Sequence, residues 1–118
     1  MSESSITIYH NPRCSKSRQT LELIRASGAE PTVVEYLKNP PSSAELGGIL
    51  KKLNLQPVEL MRRKESIFRE LDLASKDLAH DDAIAVMIEN PVLIERPIVV
   101  KGSRAVIGRP PENVQELL

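Results

Sequence analysis

The stretch that decides the fold is ITIYHNPRCSKSRQTLELIRASGAEPTVVEYL, residues 6–37. It opens with a short β-rich run over 6–9, continues with good helix formers over 15–27, and closes with a β-branched run over 32–37. Gly28 stands where a helix commonly ends in the left-handed conformation. A strand, a helix and a second strand in about 30 residues make a βαβ unit, whose right-handed crossover leaves the strands parallel.

The segment after this unit predicts a block of helices, about 42–91. Ser42 and Glu45 have the spacing of a capping box and open a helix that runs to about residue 53. Pro57 suits the first turn of a short helix. The pattern over 67–89 is again helical, with an interruption near 72–75.

The remaining residues return to strand patterns. A buried type of strand is predicted over 97–100, and 104–107 is its hairpin partner. Pro110 and Pro111 then begin a last helix. The order βαβ, helical block, ββα predicts an α/β thioredoxin-like fold, with a four-stranded mixed sheet and a central all-helical insertion. The length of 118 residues suits a single domain, 1–118.

Composition excludes several kinds of protein. Lysine plus arginine balances aspartate plus glutamate at 16 each, so no basic field would gather nucleic acid. Aromatic residues amount to 3% of the chain, too few for base-stacking platforms. No apolar run approaches the roughly 20 residues that span a bilayer. We expect neither a nucleic-acid nor a membrane partner.

The chain has one cysteine, Cys14, and two histidines. One cysteine excludes an intramolecular disulfide, and the three residues together make a poor zinc set, so we expect no metal and no bound cofactor. The first ten residues lack the basic and apolar regions of a signal peptide. Because free thiols survive best in a reducing compartment, the expected location is cytoplasmic.

A lone cysteine is most often a small buried apolar residue. Cys14, however, lies in Asn-Pro-Arg-Cys-Ser-Lys-Ser-Arg, residues 11–18, with no apolar neighbour, between the first strand and the first helix. Free N–H groups and the helix dipole there favour a thiolate, and we expect charge from Arg13, Lys16 and Arg18 to add to them. The Ser17 hydroxyl can donate to the sulfur. The same N–H groups can bind an anion, which predicts a nucleophile for an anionic electrophile.

The pattern Cys14-x-x-Ser17 provides no second cysteine to resolve a disulfide. An oxidised or adduct state of Cys14 must therefore be cleared by an outside thiol, which is a monothiol mechanism.

Three arginines and one histidine are candidates for the same site. Arg96 precedes Pro97, whose peptide bond is usually cis and faces the cysteine in thioredoxin-like folds, but it is equally a surface residue at a strand start. Arg109 follows Gly108, which permits an unusual backbone, yet a solvated loop residue fits the pattern as well. Arg62 ends a short helix, where a cation complements the dipole. His10 either tunes the cysteine or is an ordinary hydrogen-bonding residue.

Four segments together resemble the glutaredoxin-coupled arsenate reductase (ArsC) family, and most of all its short YfgD-like branch. They are Ile-Tyr-His-Asn-Pro-Arg-Cys-Ser-Lys-Ser-Arg at 8–18, Leu-Met-Arg at 60–62, Glu-Arg-Pro-Ile-Val-Val at 95–100 and Ile-Gly-Arg-Pro-Pro at 107–111. The resemblance covers nearly the whole chain in order. Residues 13, 15 and 16 depart from the pattern of many relatives, which have a small residue before the cysteine and Gly-Thr after it.

The resemblance implies an oxidoreductase of arsenic detoxification whose redox-active cysteine, Cys14, attacks arsenate. Glutathione as co-substrate and glutaredoxin would supply the reducing power, and arsenite would be released. It implies that Arg62, Arg96 and Arg109 bind the oxyanion, and that His10 and Ser17 tune the nucleophile. Two alternatives stay open: a glutathione-dependent thiol oxidoreductase with another substrate, and a non-catalytic Spx-like regulator that binds RNA polymerase.

Overall fold

The computed structural model describes residues 5–118. Its four strands form one mixed sheet in the order β2-β1-β3-β4. The strands are β1 (Ile6–Tyr9), β2 (Thr32–Val34), β3 (Ile98–Lys101) and β4 (Arg104–Ile107). β1 runs parallel to β2, with Thr7 opposite Thr32, and antiparallel to β3, with Ile8 opposite Val99. The thioredoxin-like fold with a four-stranded mixed sheet is confirmed.

Helix α1 (Ser15–Ala26) connects the two parallel strands. It ends where the sequence predicts, because Gly28 takes a φ of 94° just after the cap residue Ser27. α1 and the C-terminal segment pack on the sheet around one apolar core. Its members come from both β strands at the centre of the sheet, from α1 and from the C-terminal segment: Ile6, Ile8, Leu21, Ile24, Val99, Val114 and Leu117.

The end of β2 and the type of the last helix are features that the sequence did not predict. β2 ends at Val34 rather than at residue 37, because the N–H groups of Lys38 and Asn39 both turn back to the Glu35 carbonyl. The last helix, Pro111–Leu117, is a 3₁₀ helix.

The chain divides into two compact units. The first contains the sheet and consists of residues 5–39 and Arg96–Leu118. The second, Pro40–Glu95, contains three helices: α2 (Ser43–Leu53), α3 (Ser66–Glu70) and α4 (His80–Glu89).

Local signals explain most of the second unit. The predicted capping box is present: the Glu45 N–H donates to Ser42 Oγ at 3.1 Å, and the Ser42 N–H donates to Glu45 Oε1 at 3.1 Å. Helices α2 and α4 pack together through buried aliphatic side chains. The helical pattern over 67–89 breaks more widely than expected, because Asp72 takes a left-handed φ of 54° and α4 begins only at His80.

Within residues 5–118, no helix combines the length and the apolar character needed to cross a membrane.

Candidate active site

Cys14 is the N-cap of α1 and lies at the carboxyl end of β1. Its backbone is extended, with φ −95° and ψ 122°, while its carbonyl already accepts the first helical bond, from the Arg18 N–H at 3.0 Å. The Cys14 N–H donates to the Asn11 carbonyl at 3.0 Å, which closes the preceding loop. The free thiol is 9% exposed. The predicted position at a helix start is confirmed.

The surroundings of Cys14 favour the thiolate. Burial raises the pKa of the thiol, but three groups outweigh burial and hold the pKa below its ordinary value. They are the backbone N–H of Ser17, the Arg96 side chain, which both hydrogen-bonds the sulfur and adds charge, and the backbone N–H of Lys16. The thiol is therefore ionised more readily than a free cysteine.

The source of positive charge differs from the sequence expectation. Arg18 turns back along its own loop and donates from Nη1 to the Pro12 carbonyl at 2.9 Å. The Lys16 contribution comes from its backbone N–H, and the cation that lowers the Cys14 pKa is Arg96. Arg13, Lys16 and Arg18 are exposed, whereas the distant Arg96 is brought in by the fold.

His10 and Ser17 form a buried pair beside the cysteine loop. Nδ1 of His10 lies 2.6 Å from Oγ of Ser17, which also accepts from the Asn11 N–H at 3.1 Å. Burial lowers the pKa of His10, with Arg25 and Arg18 acting in the same direction against Glu35. The Ser17 hydroxyl thus bonds to His10 and Asn11, and it is the Ser17 backbone N–H that stabilises the Cys14 thiolate.

Arg96 and Arg109 lie together at Cys14. Each precedes a cis proline, at the Arg96–Pro97 and Arg109–Pro110 bonds. Arg109 donates from Nη2 to Cys14 Sγ at 3.4 Å and from Nε to the Arg96 carbonyl at 2.8 Å. Two guanidinium groups and the N–H groups at the start of α1 thus surround one sulfur. Such donors suit a tetrahedral oxyanion.

Gly108 fixes the Arg109 backbone for a different reason from the one expected. The sequence suggests an unusual φ, but the glycines with positive φ are Gly28 and Gly102. At Gly108 the requirement is space, since a Cβ there would lie 2.5 Å from Oγ1 of Thr20.

Arg62 belongs to the second unit and is held by two carboxylates. Nε lies 3.2 Å from Oε2 of Glu65, and Nη1 lies 2.6 Å from Oε1 of Glu95. Burial lowers the pKa of Arg62, but both glutamates outweigh burial and raise it. The expectation that Arg62 ends a helix is wrong: the 3₁₀ turn Pro57–Leu60 stops before it, and the Arg62 N–H donates to the Leu93 carbonyl at 2.7 Å.

Sequence reasoning missed Thr20, Glu65 and Glu95. Thr20 and Ser17 are polar residues on the buried face of α1, which they share with Leu21 and Ile24. A hydroxyl group on an otherwise apolar helical face is a signal that could have identified Thr20. Nothing in the sequence pairs Glu95 with Arg62, because that contact depends on the fold.

Among residues 5–118, no group of three or more metal-ligating side chains is placed to hold a metal ion.

The fold and this site define a thioredoxin-like protein with a low-pKa cysteine at the start of its first helix. The chain belongs to the ArsC family, whose model matches residues 9–117. It is 51% identical over 114 residues to the uncharacterized protein YfgD of Escherichia coli K12, covering 96% of each chain. It is 45% identical to an arsenate reductase of Haemophilus influenzae, covering 97% of this chain and 99% of that one. The solved arsenate reductase of Vibrio cholerae superposes with a TM-score of 0.93 at 47% identity, covering 99% of this chain and 100% of that one.

Proposed function

We propose that this protein is an arsenate reductase in which the Cys14 thiolate is the nucleophile. The observation that carries the proposal is the 3.4 Å contact between Arg109 Nη2 and Cys14 Sγ, beside the Arg96 guanidinium. A thiol with a lowered pKa and two guanidinium groups, the donors that suit an oxyanion, therefore occupy one place. The arsenate reductases of Haemophilus influenzae and Vibrio cholerae, similar over nearly their whole length, support arsenate as the oxyanion.

In the proposed reaction the Cys14 thiolate attacks arsenic(V), an S–As bond forms, and one arsenate oxygen leaves as water after protonation. An external thiol then reduces the adduct. Overall, two thiols become a disulfide, their two electrons reduce arsenic(V) to arsenic(III), and arsenite and one water are released. Cys14 is the chain's single cysteine, so the electrons must come from outside. We propose glutathione as this thiol and glutaredoxin as the protein that regenerates Cys14.

The roles of the other residues follow from their contacts. Arg96 and Arg109 would bind the arsenate oxygens and stabilise the charge that develops on them in the transition state. His10 would act through Ser17, since its 2.6 Å contact with the hydroxyl fixes the first turn whose N–H faces the thiolate. Arg62 is proposed as a third oxyanion-binding arginine on the strength of its Leu-Met-Arg motif alone.

A reducing compartment is required by this chemistry. The Cys14 thiol must be free before each turnover, and glutathione must be present in its reduced form. We therefore propose that the protein works in the cytoplasm.

The test is a coupled assay in which arsenate, glutathione, glutaredoxin and glutathione reductase support NADPH oxidation. We expect an arsenate-dependent rate that Cys14→Ser abolishes. If reduced Cys14 gave no arsenate-dependent rate, arsenate reduction would be rejected. A rate with a glutathionylated protein in place of arsenate, above that of glutaredoxin alone and lost in Cys14→Ser, would then support the thiol oxidoreductase alternative.

A further inference from the structure

Helix α1 and the end of β4 meet where Thr20 packs against Gly108, and no room is left there for a Cβ. Thr20 is fully buried, and a Cβ on Gly108 would lie 2.5 Å from its Oγ1 and 3.0 Å from its Cγ2. The same Cβ would lie 2.8 Å from Cγ of Pro97. Non-bonded carbon atoms prefer separations of about 3.5–4.0 Å, so no larger residue fits without a shift of the backbone or of Thr20.

This contact joins the two chain segments that carry the reactive groups. Cys14 caps the helix that contains Thr20, and Arg109 directly follows Gly108. The Gly108 N–H donates to the Pro97 carbonyl at 2.9 Å, which ties the segment to β3. The distance between α1 and Gly108 therefore sets the position of the Arg109 Cα relative to Cys14.

Shape rather than hydrogen bonding dominates the contact. The Thr20 hydroxyl donates to the Lys16 carbonyl at 2.8 Å within its own helix. Its distance to the Gly108 carbonyl is 3.5 Å, which is long for an O–H···O bond. The branched side chain of Thr20 fills the space that the missing Cβ of Gly108 leaves.

We propose that Thr20 and Gly108 are positioning residues that set the separation between the Cys14 sulfur and the Arg109 guanidinium. The inference rests on the role of Arg109 in the proposed function. Arg109 Nη2 donates to the sulfur at 3.4 Å, and a Cβ on Gly108, 2.5 Å from Oγ1 of Thr20, would push the Arg109 backbone outward and weaken this contact. Oxyanion binding then weakens, because it needs donors held in fixed geometry.

The experiment compares Gly108→Ala, Thr20→Ala and the double variant. Two readouts need no turnover: the rate at which iodoacetamide alkylates Cys14 at mildly acidic pH, and protection of Cys14 by sulfate. We expect Gly108→Ala to lower both by about tenfold, the scale of one charge-assisted hydrogen bond. Thr20→Ala removes two of the three clashing atoms, so the double variant should recover at least half of the loss.

Gly48→Ala is the matched control, because a Cβ at this helical glycine meets nothing within 4 Å. It should leave both readouts unchanged. Thr20→Ser tests the proposal if Gly108→Ala does not fold. It removes the Cγ2 methyl group and loosens the contact with Gly108 without a clash. It should weaken the protection of Cys14 by sulfate.

The proposal would be overturned if Gly108→Ala or Thr20→Ser lowered the melting temperature but left the alkylation rate and the sulfate protection of Cys14 unchanged. The contact would then contribute to stability alone. A double variant no better than Gly108→Ala would do the same. Because neither readout uses arsenate, a protein inactive toward arsenate would still test the positioning role.

Discussion

Nδ1 of His10 lies 2.6 Å from Oγ of Ser17, and both side chains are buried beneath the loop that leads to Cys14. The contact links the end of β1 to the first turn of α1, the two elements between which the nucleophile lies. Burial lowers the pKa of His10, which favours the neutral imidazole in the folded protein.

The first prediction concerns stability against pH. An unfolded histidine has a pKa of about 6.5, and the folded value of His10 lies lower. Below about pH 6.5 the unfolded state therefore binds more protons than the folded state, and the free energy of unfolding falls as the pH falls towards the folded pKa. Urea unfolding of the wild type and of His10→Gln across this range checks the sign.

His10→Gln should lose this component of the pH dependence of stability. It should also lower the free energy of unfolding near neutral pH by about 1–3 kcal/mol, because the buried contact with Ser17 is lost. The matched control is His80→Gln, since His80 is exposed beside Asp81. It should keep the wild-type pH profile. A His10→Gln profile that matches the wild type would contradict the prediction.

Local signals were sufficient to predict the elements around Cys14. Pro12 keeps the loop out of the helix, Gly28 ends α1, and the Ser42–Glu45 capping box opens α2, each through interactions within a few residues. The sequence therefore located the cysteine at a helix start without any knowledge of tertiary contacts.

The charges around the site could not be predicted in this way. Arg13 and Arg18 are near Cys14 in sequence, but the cations at the sulfur are Arg96 and Arg109, which are distant in sequence and are brought there by the fold. Electrostatic partners depend on distance in space, and sequence neighbours on a helix surface point into water as easily as towards the site. Glu95 could not be predicted as a partner of Arg62 for the same reason, since the two residues are distant in sequence.

The second prediction is that Arg96→Gln makes Cys14 less reactive. Without the Arg96 hydrogen bond and charge, burial is opposed by fewer groups, which are the backbone N–H groups of Ser17 and Lys16 and the Arg109 guanidinium, so the pKa of Cys14 rises. The iodoacetamide alkylation rate at mildly acidic pH should fall by about tenfold, since a charge-assisted hydrogen bond is worth about 1.5 kcal/mol or more and about 1.4 kcal/mol is a factor of ten. Arg104→Gln, on the exposed start of β4, is the control and should react like the wild type. Equal alkylation rates for Arg96→Gln and Arg104→Gln would contradict the prediction.

The third prediction separates a directed Arg109 from a solvated one. Arg109→Ala removes the donor 3.4 Å from the sulfur and should lower kcat/KM for arsenate by about 10²-fold or more, the typical cost of one preorganised donor. Arg109→Lys keeps the charge but not the fork that contacts both the Arg96 carbonyl and Cys14, so it should recover only part of the loss. A change of less than about twofold in Arg109→Ala would mean that the arginine does not act on the oxyanion.

The fourth prediction concerns the two carboxylates that hold Arg62. The Arg62 side chain is 19% exposed, and its removal leaves Glu65 and Glu95 as partly buried charges without the cation between them. Arg62→Ala should therefore lower the free energy of unfolding by about 1–3 kcal/mol, since the loss of one partner of a buried pair costs more than the pair contributes. Urea unfolding measures the change.

Arg25→Ala is the matched control, because its pair with Glu30 is exposed and should be worth about 0–1 kcal/mol. If Arg62 also binds the oxyanion, Arg62→Ala raises KM for arsenate while Arg25→Ala does not. If Arg62→Ala and Arg25→Ala had the same free energy of unfolding, the prediction would be wrong. Glu65 and Glu95 would then be solvated well enough to remain charged without Arg62. A loss of stability with an unchanged KM would limit Arg62 to a structural role and leave Arg96 and Arg109 as the oxyanion-binding pair.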